Sequence, residues 1–179
     1  GGNAIRPGDV VTSRNGKTVE VINTDAEGRL VLIDAIDYAL EKYKPDLILD
    51  VATLTGAALV ALGSVGAAIL SKKQNVANML LETAKDTGEP LWQLPLWEEL
   101  FKELKSDFAD LKNLTSGSVK AGTITAGGFL SEFVGDANWA HVDIAGTGWS
   151  CAAYGYPKKG ASGYGVDLLA SACQNLNKL

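Results

Sequence analysis

At 179 residues the chain has the size of one domain or of a piece of a larger one, and with 46% hydrophobic and 21% charged residues it can fill a core. A net charge of −5 argues against non-specific nucleic-acid binding, which needs a basic footprint. The longest apolar stretch, around Ala57 to Leu70, is broken by Gly63, Ser64 and Gly66, so no membrane span is expected.

The chain opens Gly-Gly-Asn-Ala-Ile-Arg-Pro, without an initiator methionine, as a piece of a longer protein would. Val10 to Ser13 and Lys17 to Val21 are β-branched arms flanking Asn15-Gly16, a two-residue hairpin signal. The second arm runs into Asn23-Thr24-Asp25-Ala26-Glu27-Gly28-Arg29-Leu30, read here as an extended loop. From Leu30 the period changes: Leu30, Ile33, Ile36, Leu40 and Tyr43 form one apolar face of an amphipathic helix that Pro45 stops. Asp46 to Val51 is a short, nearly continuous apolar run, the mark of a strand covered on both faces. Strand, loop, helix and strand make a βαβ-type order with a right-handed crossover.

Ala52-Thr53-Leu54-Thr55-Gly56 follows at that strand's end, where ligand-binding loops of open α/β sheets gather. Val65 to Leu70 reads as a strand and Asn75 to Lys85 as a helix. Leu96, Trp97, Leu100, Phe101 and Leu104 share a helical face, and another helix runs from after Thr123 to Val134. Trp139 to Ala145 is a core strand. Gly146 to Gly165 holds six glycines and is a loop excursion, after which Val166 to Leu176 closes the chain as a helix. No repeat or linker is visible, so the chain is one α/β unit.

The chemistry concentrates between Asn23 and Leu30. In an extended loop side chains i and i+2 point the same way, which would bring Asp25, Glu27 and Arg29 to one place. A converging carboxylate pair holds a cation, and an arginine beside it attracts an anion. Metal plus anion is the outline of a hydrolase centre. The competing reading makes Asp25 a helix cap and Glu27 a solvated charge. Three features weigh against it: Arg29 is a cation where a helix start favours anions, Gly28 permits close backbone approach, and Asn23 and Thr24 can orient a carboxylate.

Other motifs carry less. Gly16-Lys17-Thr18 lacks the glycine a phosphate loop needs five positions earlier, where Val11 stands. The glycines of 160–165 are in the wrong order for a dinucleotide fingerprint. His141, the only histidine, sits mid-strand and is expected to be a hydrogen-bonded core residue. With no second histidine and no C-x-x-C, any metal must be held mainly by oxygen ligands. No G-x-S-x-G elbow is present, and Ser64 and Ser150 lack an evident base. The four tryptophans are expected to pack cores or interfaces. Cys151 and Cys173 read as free buried thiols of a reducing compartment, with one disulfide as the alternative, and a cytoplasmic location is expected.

As a unit, NTDAEGRL at Asn23 to Leu30 resembles the signature of the M17 leucyl aminopeptidase (cytosol aminopeptidase) family. Ala52-Thr-Leu-Thr-Gly56, Ala121-Gly-Thr-Ile-Thr-Ala126 and Trp139-Ala-His-Val-Asp-Ile-Ala-Gly146 match in the same order. The resemblance implies a three-layer α/β/α fold with a central mixed, mostly parallel sheet, residues 1–179 being the C-terminal portion of the catalytic domain. It also implies a two-metal peptidase that releases N-terminal amino acids, preferably leucine. Two divalent ions would be bound, zinc with manganese or magnesium able to replace one. Asp25 and Glu27 would be metal ligands, with Glu27 bridging. Arg29 would be the catalytic arginine, holding a bicarbonate-like anion with help from the backbone of Gly28 and Leu54. Thr53 and Gly56 would shape the first side-chain pocket, with Ala145 and Gly148 across from them.

The family also uses an upstream metal-binding lysine, two further aspartates and a catalytic lysine, none of them in these residues. The resemblance therefore implies a half-built centre that is inactive alone, with an unpaired sheet edge that favours self-association. Full-length members act on peptides with a free N-terminus and assemble as hexamers. The rival readings are a non-catalytic binding module and a DNA-architectural role on the same fold. The intact signature weighs against the first and the acidic balance against the second.

Overall fold

The computed structural model describes residues 2–115, 117, 119–153, 155, 156 and 159–179; positions 154, 157 and 158 of the glycine-rich excursion lie outside them. The amino-terminal hairpin pairs β1 (Val10–Thr12) with β2 (Thr18–Glu20) in antiparallel register, Val11 opposite Val19. Its loop has three residues where two were expected. Ser13 N–H donates to the Lys17 carbonyl at 2.8 Å and Gly16 N–H to the Ser13 carbonyl at 2.9 Å. Only Gly16, at φ +90°, is left-handed, whereas a tight two-residue turn of the expected kind needs both central residues there.

Helix α1 (Gly28–Tyr43) buries Ile33 and Ile36 as its spacing predicts, although Tyr43 is exposed. It ends at Lys44, left-handed at φ 45°, whose N–H donates to the Leu40 carbonyl just before Pro45. The remaining elements, in chain order, are β3 (Ile48–Ala52), α2 (Gly56–Leu62), β4 (Ala67–Leu70), α3 (Gln74–Thr87), β5 (Leu91–Gln93), α4 (Glu98–Phe101), β6 (Leu111–Lys112), α5 (Gly122–Ser131), β7 (Trp139–Asp143) and α6 (Val166–Gln174).

Two sheets form among the described residues. β6 lies parallel to β2, giving the order β1-β2-β6, and a four-stranded sheet has the order β3-β7-β4-β5. In the larger sheet β3 and β7 are parallel, β4 and β5 are parallel, and β4 meets β7 antiparallel, so the sheet is mixed and mostly parallel. The expected βαβ unit is not formed by β2, α1 and β3, because β2 and β3 belong to different sheets. β3 finds its partner in β7, about ninety positions downstream, a pairing that local periodicity does not encode. The parallel crossover in this sheet runs from β4 through α3 to β5.

The sheet separates two helical layers. Trp139 packs with Ile33, Ile36, Phe129 and Leu130 from α1 and α5, while its neighbour Ala140 packs with Val76, Leu80 and Ala172 from α3 and α6. This is strand alternation, with successive side chains of β7 serving opposite layers. The result is the three-layer α/β fold.

Several elements depart from their sequence patterns. The apolar stretch after Gly56 begins as a helix, capped by the Thr55 hydroxyl, which accepts from Ala58 N–H, and ended by left-handed Gly63. The face drawn through Leu96 to Leu104 shrinks to α4 and a 3₁₀ turn at Lys102–Leu104, with Leu104 buried and Trp97 exposed. Trp139 is a core residue, but Trp92, Trp97 and Trp149 are all exposed. Both cysteines are free; Cys151 is buried and Cys173, on the outer side of α6, is exposed. Among the described residues no helix is long and apolar enough to cross a membrane.

Candidate functional site

The acidic segment is a turn, which corrects the reading of an extended loop. The Asn23 side chain accepts from Asp25 N–H at 2.9 Å and starts a 3₁₀ turn over Thr24–Ala26; Glu27 is helical and α1 begins at Gly28. The short polar Asn23 thus competes successfully for the backbone, as Asx residues do. Strand alternation does not bring Asp25, Glu27 and Arg29 together here. The turn and the first turn of α1 do so instead.

Asn113 holds this arrangement from below. It is fully buried; its side chain accepts from Ile22 N–H at 2.8 Å and donates to the carbonyls of Asn23 at 2.8 Å and Ala26 at 3.3 Å. Its own carbonyl accepts from Arg29 Nη1 at 2.9 Å. Arg29 is only 4% exposed and its Nε has no hydrogen-bond partner among the described residues. Burial lowers its pKa to about 10, with the charge of Asp143 pulling the other way, so the guanidinium is protonated at neutral pH. Asp25 and Glu27 are exposed, and neither carboxylate is engaged by a described residue.

A second wall comes from the loop between β3 and α2. Leu54 packs its Cδ1 against the space beside Gly28, where a Cβ would stand 3.5 Å away. Asp143, at the end of β7 and fully buried, anchors this loop. It accepts from Leu54 N–H at 3.1 Å, from Thr55 N–H at 3.4 Å and from the Thr55 hydroxyl at 2.6 Å. The two walls enclose a cleft of about 330 Å³ lined by Asp25, Glu27, Gly28, Arg29, Thr53, Leu54 and Gly56. Seven of the nine residues singled out in the sequence therefore share one cavity. Ala145 and Gly148 do not line it. They stand behind it: Ala145 N–H donates to Asp143 at 3.1 Å, and a Cβ at Gly148 would lie 3.2 Å from the Thr53 methyl.

His141 lies elsewhere. It is fully buried mid-strand, with Nδ1 2.5 Å from Asp50, whose other oxygen accepts from Trp139 Nε1 at 2.7 Å. This is the hydrogen-bonded core histidine that its position predicts. Sequence reasoning did not single out Asn113 or Asp143. Asp143 had a signal, since a carboxylate in an apolar core strand must be hydrogen-bonded to be tolerated. Asn113 had none.

Chemically, the cleft offers two disengaged carboxylates, hard oxygen donors suited to a divalent cation, beside a buried guanidinium with an unused N–H. Among the described residues no group of three or more His, Cys, Asp or Glu side chains is placed to hold a metal. The donor set fits part of a cation site and does not complete one.

Residues 1–170 match the family model described as cytosol aminopeptidase family, catalytic domain. The chain is 53% identical over 168 residues to a probable cytosol aminopeptidase of Geobacter sp. (strain M21), covering 94% of this chain and 34% of the relative. It is 54% identical over 168 residues to the probable cytosol aminopeptidase of Haemophilus influenzae (strain PittEE), covering 94% and 33%. With that of Desulfotalea psychrophila it shares 47% identity over 176 residues, covering 98% and 35%. The chain thus spans about a third of the length of these relatives.

Proposed function

This chain belongs to the cytosol aminopeptidase family, and from that membership we propose that it forms part of the catalytic centre of a metal-dependent aminopeptidase releasing N-terminal residues, leucine preferred, from peptides. The observation that carries the reading is the convergence of Asp25, Glu27 and Arg29 with the 53–56 loop on one cleft. Asp25 and Glu27 would hold divalent metal, two ions in the complete centre, zinc with manganese or magnesium at one position. When bound, such ions lower the pKa of coordinated water and polarise the scissile carbonyl.

The chain's own residues do the rest. Arg29, protonated at neutral pH and with a spare N–H, binds a small anion such as bicarbonate or the developing oxyanion. Gly28 and Leu54 set how closely the backbone approaches that anion. Thr53 and Gly56 present small groups to the substrate's first side chain, with Ala145 and Gly148 supporting from behind. The remaining metal ligands come from outside these residues in this reading, so the 179 residues are the C-terminal portion of a catalytic domain and do not turn over substrate alone. The longer protein is a cytoplasmic hexamer. The net charge of −5 gives no support to a DNA-architectural role. Hydrolysis of a leucine anilide, with Glu27→Ala as the control, tests the proposal.

A further inference from the structure

We propose that Asp143 is a positioning residue that clamps the loop after β3, which lines the cleft, onto the turn after β7 behind it and so fixes the shape of the side-chain pocket. A fully buried carboxylate in an apolar strand persists only when its lone pairs are used. Asp143 uses them on both sides. One oxygen accepts from Leu54, Thr55 and Ala145 amides at 3.1, 3.4 and 3.1 Å; the other accepts from the Thr55 hydroxyl at 2.6 Å, which in turn meets the Thr123 hydroxyl at 2.7 Å. One side chain therefore joins the loop after β3, the turn after β7 and the start of α5, all at one end of the sheet.

The register makes this possible. Ala52 is opposite Asp143 across the β3–β7 pair, so the carboxylate projects just where β3 gives way to the loop. The clamp has little slack. A Cβ at Gly148 would stand 3.2 Å from both the Thr53 methyl and the Ile144 carbonyl oxygen, so Thr53 rests directly on the turn that Asp143 holds. Releasing Asp143 lets Thr53 withdraw and opens the pocket wall. Asparagine preserves the clamp: its Oδ1 accepts from the three amides and its Nδ2 donates to the Thr55 hydroxyl, which then turns its proton toward Thr123. Alanine abolishes it.

The pocket's functional meaning rests on the aminopeptidase reading, but the clamp is measured on the chain without substrate, so failure of either shows separately. Amide hydrogen exchange by NMR is the measurement, with Leu80→Ala, on the opposite face of the sheet, as a matched destabilised control. In Asp143→Ala the Leu54, Thr55 and Ala145 amides should exchange about tenfold or more faster relative to the β3 and β7 amides, and Asp143→Asn should restore them. If Asp143→Ala does not fold, Thr55→Val takes its place, speeding exchange at Leu54 and Thr55 and sparing Ala145. Exchange unchanged at these amides, or raised uniformly as in Leu80→Ala, overturns the proposal. In a catalytically active form, Asp143→Ala should also lower the preference for leucyl over alanyl substrates, and an unchanged ratio would remove the link to the pocket.

Discussion

Replacing Arg29 with methionine should make the chain more stable while destroying its capacity to bind an anion. The guanidinium is 4% exposed and has no carboxylate within bonding distance among the described residues; Asp143 acts on it through its field. Burial lowers its pKa from the ordinary guanidinium range to about 10, and at about 1.4 kcal/mol per pH unit that is a penalty of about 3 kcal/mol for carrying the charge. Methionine removes the charge at similar length. Its cost is the hydrogen bond to the Asn113 carbonyl, about 1–2 kcal/mol for a buried acceptor left unpaired. The net expectation is a gain of about 1–2 kcal/mol, or about 4 °C in Tm for a chain of this size. The folded-state pKa lies below the unfolded one, so the penalty is present in full below about pH 10 and is relieved as pH rises above it toward the ordinary guanidinium range. The gap between variant and wild type should narrow in that window. Urea denaturation at pH 7, with and without bicarbonate, is the assay. At ten times its Kd the anion should stabilise wild type by about 1.4 kcal/mol and leave Arg29→Met unmoved. A variant less stable than wild type without anion would show that the buried charge carries no net cost, and an equal anion shift in both would show that Arg29 does not bind the anion.

Two further changes test the packing of the fold outside the cleft. Gly146→Ala would force a Cβ into the Gly63 carbonyl oxygen, a backbone atom that cannot swing aside, and should cost about 1–3 kcal/mol in urea denaturation; a neutral result contradicts the packing of that turn. Glu89, fully buried, accepts from the N–H groups of Gly165 at 2.8 Å and Leu168 at 2.6 Å and from the Tyr156 hydroxyl, capping α6. Glu89→Ala should cost about 2–4 kcal/mol and speed amide exchange at Leu168, and unaltered exchange there would dismiss the cap.

What was legible in the sequence follows the range of each signal. α1, α3 and α6 and the strands β3, β4 and β7 are carried by local periodicity and by Pro45, and they formed close to where they were read. Pairing is not local. The partner of β3 is β7, and the partner of β2 is the two-residue β6, too short to carry an alternation signal. The cleft was readable because Asp25, Glu27, Gly28 and Arg29 are contiguous and because Thr53 to Gly56 fall at a strand end. Their convergence rests on a turn started by Asn23 and pinned by Asn113, whose partners lie about ninety positions away. The exposed Trp92, Trp97 and Trp149 show the reverse limit: residue type gives a tendency to be buried, not a location.

The most direct test of the central claim is hydrolysis of leucine 4-nitroanilide with added manganese or zinc. The assay compares this chain, a longer form that includes the upstream sequence, and the longer form carrying Glu27→Ala. Cleavage by the longer form is expected, with none by these residues alone and loss of activity on removing Glu27. Undiminished hydrolysis by the Glu27→Ala form would contradict the central claim, because the carboxylates of this cleft would then have no part in the chemistry.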